Sequence, residues 1–230
     1  MLVFSHRGES KKKTENSMSA FKLALASNSD GIETDVRQTK DGILVLHHDK
    51  TIDRLTNKKG KLSNYTYKEL LNMSFKGEKI VTLEEFLKYF SNKNIKLYIE
   101  IKESGFEKEL LNMINKYNTK NITLISFKYD ILKNIRKLDR KIKLGYLVYD
   151  ITNNDVKKAR MIECEKMLAM AILINEDDVI TCTKNDMLLI AWGLTNKEEI
   201  KRLEHLGVYG IMYDCYEEGK KMCKKKYIFK

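Results

Sequence analysis

Residues 96–117 read KLYIEIKESGFEKELLNMINKY. The first part, Lys96–Ile101, is a short run rich in Leu, Tyr and Ile, the composition of a buried strand. The second, Phe106–Tyr117, spaces its apolar residues three and four apart, as a helix with one buried face does. A strand followed within a few residues by an amphipathic helix is the building unit of a parallel sheet.

The same unit recurs along the chain. Candidate strands are Leu2–Ser5, Gly31–Arg37 with Ile43–His47, Lys96–Ile101, Ile122–Ser126, Lys143–Val148, Leu168–Ile174, Met187–Trp192 and Gly210–Tyr213. Between them Ser17–Ala26, Thr82–Phe90, Phe106–Tyr117, Tyr129–Leu138 and Lys197–Leu206 have helical spacing. Thr82 precedes Leu83, Glu84 and Glu85, and acidic residues in a first turn suit a helix start. About eight such units in 230 residues predict a compact α/β protein, a (β/α)8 TIM barrel forming a single domain over 1–230. An open doubly wound sheet is the alternative that periodicity does not separate from it.

Hydrophobic content of 43% and charged content of 33% describe a globular chain able to bury a core. No apolar run approaches the roughly 18–20 residues of a membrane span. The longest, around Met167–Asn175, stops at Glu176, Asp177 and Asp178. The start of the chain lacks a basic region followed by an apolar stretch, so no signal peptide is expected. Cys164, Cys182, Cys215 and Cys223 show no C-x-x-C spacing and suit buried thiols in a cytoplasmic protein. The net charge of +11 favours anionic partners: phosphorylated small molecules, nucleic acid or an anionic membrane surface. The short lysine runs at Lys11–Lys13, Lys58–Lys61 and Lys224–Lys226 read as a solvated face, and no nucleic-acid motif accompanies them. Proline is absent.

A barrel places functional groups at the carboxyl ends of its strands. His6, Arg7 and Gly8 end the first. In Gly31-Ile-Glu-Thr-Asp-Val, Glu33 and Asp35 are two apart and share a face. Glu100 and Lys102 repeat that spacing at the end of the third. Carboxylates crowded on an inner face repel one another and lose hydration, costs that a bound cation relieves. Three carboxylates make an oxygen-ligand set for Mg²⁺ or Ca²⁺, with buried ion pairs to Arg7 or Lys102 as the structural alternative. His47 and His48 end the run Ile43–Leu46, beside Asp49. Two histidines, an arginine and a carboxylate cluster on neighbouring strand ends suit attack on a phosphodiester, which needs charge neutralisation and a proton for the leaving alkoxide.

These residues together resemble the glycerophosphodiester phosphodiesterases. The resemblance rests on His6-Arg7-Gly8, Thr14-Glu15-Asn16-Ser17, Glu33-x-Asp35, Asp41-Gly42 leading to His48-Asp49, and Glu100-Ile101-Lys102. It extends to Val81–Glu85, Ser126-Phe127, Ala191-Trp192 and Gly207–Asp214. It implies a metal-dependent hydrolase that releases glycerol 3-phosphate and an alcohol from a small glycerophosphodiester. By resemblance His6 and His48 form the acid–base pair. Glu33, Asp35 and Glu100 hold one divalent cation, Arg7 binds phosphate, and Lys102 adds positive charge. Glu15, Asn16 and Asp49 are supporting residues, and Trp192 lines the pocket. His47 is structural and His205 lies on an outer helix. A lysophospholipid or another phosphodiester at a membrane surface, with weak association to anionic lipid, is the alternative substrate class. Departures at Gly193, Tyr213 and Tyr216 fall where the leaving alcohol is shaped. The segment Leu147–Met167 matches the family poorly.

Overall fold

The computed structural model of the chain describes residues 1–119 and 121–223. Nine strands run in chain order: β1 Leu2–Ser5, β2 Gly31–Gln38, β3 Leu44–Leu46, β4 Lys96–Ile101, β5 Ile122–Ser126, β6 Lys143–Leu147, β7 Lys166–Met170, β8 Leu188–Trp192 and β9 Gly210–Tyr213. Eight of them, all but β3, are parallel, and β1 pairs with both β2 and β9, so the sheet closes into a barrel. Closure excludes the open doubly wound alternative. β3 hangs antiparallel on β2, with Val36 opposite Leu46.

Alternation along each strand divides the buried residues into two layers. Phe4, Tyr98, Ile125, Leu147, Leu168, Ile190 and Met212 fill the barrel interior. Their neighbours, such as Val3, Ile99, Leu124 and Ile211, face the surrounding helices. A third cluster, Val45, Ile52, Leu55, Leu62, Leu70, Phe75 and Ile80, lies outside this repeat. It is built from Val45 of β3 and the segment after it, which carries a 3₁₀ turn at Leu62–Asn64 and the short helix Tyr67–Leu71. Nothing in the periodicity marks that lobe.

The helices start where capping chemistry allows. Ser17 caps Met18–Ala26, and Thr82 with Glu85 forms a capping box ahead of Leu83–Phe90. The helices Asn153–Met161 and Glu176–Lys184, not predicted above, begin with the boxes Thr152/Asp155 and Asn175/Asp178.

One strand differs from expectation. Leu168–Ile174 is not a continuous strand: β7 begins earlier, at Lys166, and the run turns into a 3₁₀ helix at Ala171–Leu173. The Arg202 guanidinium donates to the carbonyls of Ala171 and Ile174 at 2.5 and 2.6 Å and holds that turn. Ile172 and Leu173 therefore point outward, an apolar run without apolar burial. Cys164, Cys182 and Cys215 are buried free thiols, while Cys223 is only partly buried. The run Lys224–Lys226 lies outside the described residues. No helix among them is long and apolar enough to cross a membrane.

Candidate active site

Parallel register brings the carboxylates together. Asp35 on β2 lies opposite Glu100 on β4, and Glu33 opposite Tyr98. Because both strands point these positions inward, oxygens of Glu33, Asp35 and Glu100 lie within 4.8 Å of one another. The three residues are 2%, 0% and 8% exposed. Lys102 Nζ bridges Asp35 Oδ1 and Glu100 Oε2 at 2.8 and 2.7 Å, and Arg7 Nε lies 3.3 Å from Asp35 Oδ2. The ion-pair alternative is thus realised by Lys102 for Glu100, and by Arg7 for Asp35 rather than for Glu100.

Those two cations do not balance three carboxylates, since Arg7 also pairs with Glu15 at 2.9 Å. Burial, then Asp35, pushes the Glu33 carboxyl well up, and the same causes push Glu100 up to about 7. Asp35 runs the other way: burial would raise it, but Lys102 and Arg7 hold it below the usual range. Carboxylates that reject their own charge at this spacing fit a divalent cation, whose oxygen contacts are roughly 2.0–2.6 Å. Three buried carboxylates within 4.8 Å of one another thus form an oxygen donor set suited to the implied metal.

The loop after β1 is shaped to deliver its groups. Arg7 and Asn16 adopt left-handed backbone at φ 57° and 55°, and Gly8 at 80°. Asn16 N–H donates to the Arg7 carbonyl at 3.0 Å, while Arg7 N–H donates to Glu33 Oε2 at 3.0 Å. The Asn16 amide donates to Asp35 Oδ2 at 2.9 Å. Asn16 therefore positions a carboxylate and, through the Arg7 carbonyl, the loop that follows His6, while Glu15 positions Arg7.

Each histidine is held by a carboxylate at Nδ1. His6 Nδ1 lies 2.7 Å from Asp214 Oδ1 and His48 Nδ1 lies 2.7 Å from Asp49 Oδ1. An ionised carboxylate only accepts, so Nδ1 carries the proton and Nε2 is left to exchange one. His6 Nε2 lies 4.0 Å from Glu33 Oε2. Burial pulls the His48 imidazole down, against Asp35, which raises it. Arg37 donates to the His48 carbonyl at 2.8 and 3.0 Å and steadies the backbone there.

Two contributors have no place in the sequence reading. Arg54 sits in the lobe after β3 and joins Asp49 Oδ2 at 2.6 Å to both oxygens of Glu15 at 2.6 and 2.8 Å. Asp214 was visible only as the end of the motif Gly207–Asp214, with nothing to tie it to a residue 208 positions away. Trp192 stands apart from the charged groups. Its indole N–H donates to the Val148 and Leu168 carbonyls, and its ring packs at 5.4 and 5.5 Å from Phe127 and Tyr149. His47 is buried, with Nε2 2.9 Å from the Thr51 carbonyl, and His205 is exposed.

A closed parallel barrel with histidines, cations and a carboxylate cluster on its carboxyl-terminal rim defines a (β/α)8 protein with a polar site in the usual place. The sequence model of the glycerophosphoryl diester phosphodiesterase family matches residues 6–218, and the chain belongs to that family. It is 34% identical over 227 residues to a glycerophosphodiester phosphodiesterase of Caldanaerobacter subterraneus subsp. tengcongensis, covering 93% of each chain. A glycerophosphodiester phosphodiesterase from Thermotoga maritima superposes with a TM-score of 0.82 at 29% identity, over 96% of this chain and 98% of that one. An Oleispira antarctica phosphodiesterase, solved in complex with the product sn-glycerol-3-phosphate, shares the fold with a TM-score of 0.90 at 22% identity, over 98% and 97%.

Proposed function

We propose that this chain hydrolyses glycerophosphodiesters to glycerol 3-phosphate and an alcohol. The observation that carries the reading is the pairing of His6 and His48, each pinned at Nδ1 by a carboxylate, around the Glu33–Asp35–Glu100 cluster. Glu33, Asp35 and Glu100 would hold a divalent cation, Mg²⁺ or Ca²⁺, which when bound supplies Lewis-acid charge to the phosphoryl oxygens. Arg7 neutralises a second portion of the phosphate charge, and Lys102, paired with Asp35 and Glu100, adds positive charge beside the cation. His6 and His48 divide the two proton transfers through Nε2, one accepting from the attacking hydroxyl and the other donating to the leaving alkoxide. Asp214 and Asp49 hold both rings in the tautomer that leaves Nε2 able to do so.

The test is release of glycerol 3-phosphate from glycerophosphocholine, -ethanolamine, -glycerol and -inositol with Mg²⁺ or Ca²⁺. His6→Ala and His48→Ala are expected to lower turnover by about 10³–10⁴-fold with an unchanged melting temperature. No release from any of the four substrates sinks the proposal.

Lysophospholipids are a second substrate class, favoured by one observation. Tyr149 and Ile172, each 64% exposed, follow β6 and β7 at the carboxyl end of the barrel, and Tyr149 packs against the Trp192 ring. Sedimentation with anionic vesicles at moderate salt separates the two classes, because a soluble diester needs no membrane.

A further inference from the structure

The opposite end of the barrel carries a second concentration of charge. Lys96, Lys143 and Lys166 begin β4, β6 and β7 and line a cavity of about 480 Å³ together with Tyr98 and Thr123. That volume is within the roughly 300–1,000 Å³ of small-molecule sites. Lys96 and Lys143 are exposed at its edge, but Lys166 is only 7% exposed. Among the described residues the Lys166 ammonium makes no hydrogen bond and no ion pair, and its Nζ opens onto the cavity.

Most of the Lys166 side chain is buried, which disfavours its charge, and the nearby acids have hydrogen-bond partners of their own. Glu165 Oε2 accepts from the Leu144 N–H, and Asp30 Oδ2 accepts from Val3 N–H and Lys220 Nζ. Burial pulls Lys166 down, and the neighbouring Lys143 and Lys96 push it further in that direction, against Glu165. Tyr98 adds an independent sign: it is 1% exposed, and its hydroxyl has no partner among the described residues. Like-charged groups gathered with an unpaired hydroxyl lack one thing, an oxyanion.

We propose that the amino-terminal end of the barrel is an anion site for a phosphate dianion, free or as a phosphate monoester, bound by Lys166 with Lys96 and Lys143. The several oxygens of such a dianion accept from the ammonium groups and from a hydroxyl donor at separate points, with twice the charge of a halide. The site is separate from the catalytic rim and stands whether or not the proposed hydrolysis does.

Melting temperatures measured against inorganic phosphate and glycerol 3-phosphate, with ionic strength held by chloride, test it. Arg7→Ala is the background, so that the rim contributes least. Phosphate at ten times its half-saturating concentration is expected to raise the melting temperature by on the order of 3–5 °C. Lys166→Met in that background should lose the rise, start from an equal or higher melting temperature, and, with Arg7 intact, retain hydrolysis. Equal half-saturation by the two probes identifies free phosphate as the ion read; tighter binding of glycerol 3-phosphate identifies a monoester. A rise undiminished by Lys166→Met, or no rise with either probe, overturns the proposal. Should Lys166→Met fail to fold, Lys143→Ala at the exposed edge takes its place, and an undiminished rise there is equally fatal.

Discussion

Arg54 grips Glu15 with both arms of its guanidinium, Nη1 to Oε2 at 2.6 Å and Nη2 to Oε1 at 2.8 Å. The same Glu15 holds Arg7, and the same Arg54 holds Asp49, which holds His48. A continuous line of charge-assisted bonds therefore joins the Arg7 loop after β1 to the second histidine after β3. Bidentate pairing makes the line geometric as well as electrostatic.

Removing Arg54 breaks both arms at once. Arg54→Ala is expected to lower kcat by about 10–100-fold, since small misplacements of reacting groups cost that much. Arg54→Lys restores charge without the fork and should recover only part of it. Steady-state kinetics on glycerophosphoglycerol decides; activity equal to the unchanged chain would show that the line is dispensable.

The Asp49 link also predicts an acid limb. Burial would raise the Asp49 carboxyl, but hydrogen bonds from Arg54 and His48 outweigh it and bring it to about 2. A carboxyl lower in the folded chain than in the unfolded one, roughly 3.9, stabilises fully above that value. The contribution fades as pH falls through about 2. In Arg54→Ala, denaturant unfolding between about pH 4 and pH 2 should show a shallower loss of stability than in the unchanged chain.

Asp214 acts through His6. Asp214→Ala should reduce turnover by about 100-fold with little change in melting temperature, because the carboxylate is 60% exposed. Added to His6→Ala it should cost nothing more. Additive losses in that double-mutant cycle would place Asp214 in some other role.

Metal binding and protons compete for Glu100. Without a cation its carboxyl, pushed up to about 7 by burial and Asp35, keeps a proton that the unfolded chain has lost. Stability should therefore fall as pH rises from about 4.5 to about 7, and saturating Mg²⁺ or Ca²⁺ should flatten that slope. Chelation is expected to remove activity and either ion to restore it. Glu100→Gln should raise the half-saturating metal concentration at least about tenfold. Calorimetric titration in buffers of different ionisation enthalpy reads the released proton directly.

Gly8 cannot carry a side chain. Its φ is +80°, and a Cβ would lie 2.7 Å from the backbone carbon of Ala20, which has no freedom to move within its helix. Gly8→Ala is expected to cost about 1–3 kcal/mol in chemical denaturation and to lower activity by displacing Arg7.

Most of the barrel is legible along the chain because hydrophobic period is a local property. A run such as Ile122–Ser126 followed by Tyr129–Leu138 announces strand and helix without reference to anything distant. The reading failed where apolar residues are not buried, as at Ile172 and Leu173, and where a charged one is, as at Lys166. The lobe after β3 was unreadable for a related reason: its turns and five-residue helix are too short to show a period.

The residue types of the candidate site, and which strand ends carry them, follow from the sequence alone, since spacing of two along a strand assigns a face. Which groups meet is decided by closure of the sheet. β1 joins β9, so Asp214 reaches His6 across 208 positions, and the lobe folds back, so Arg54 reaches Glu15. Such contacts arise from register and barrel curvature, which sum over the whole chain and leave no mark in any short stretch of it.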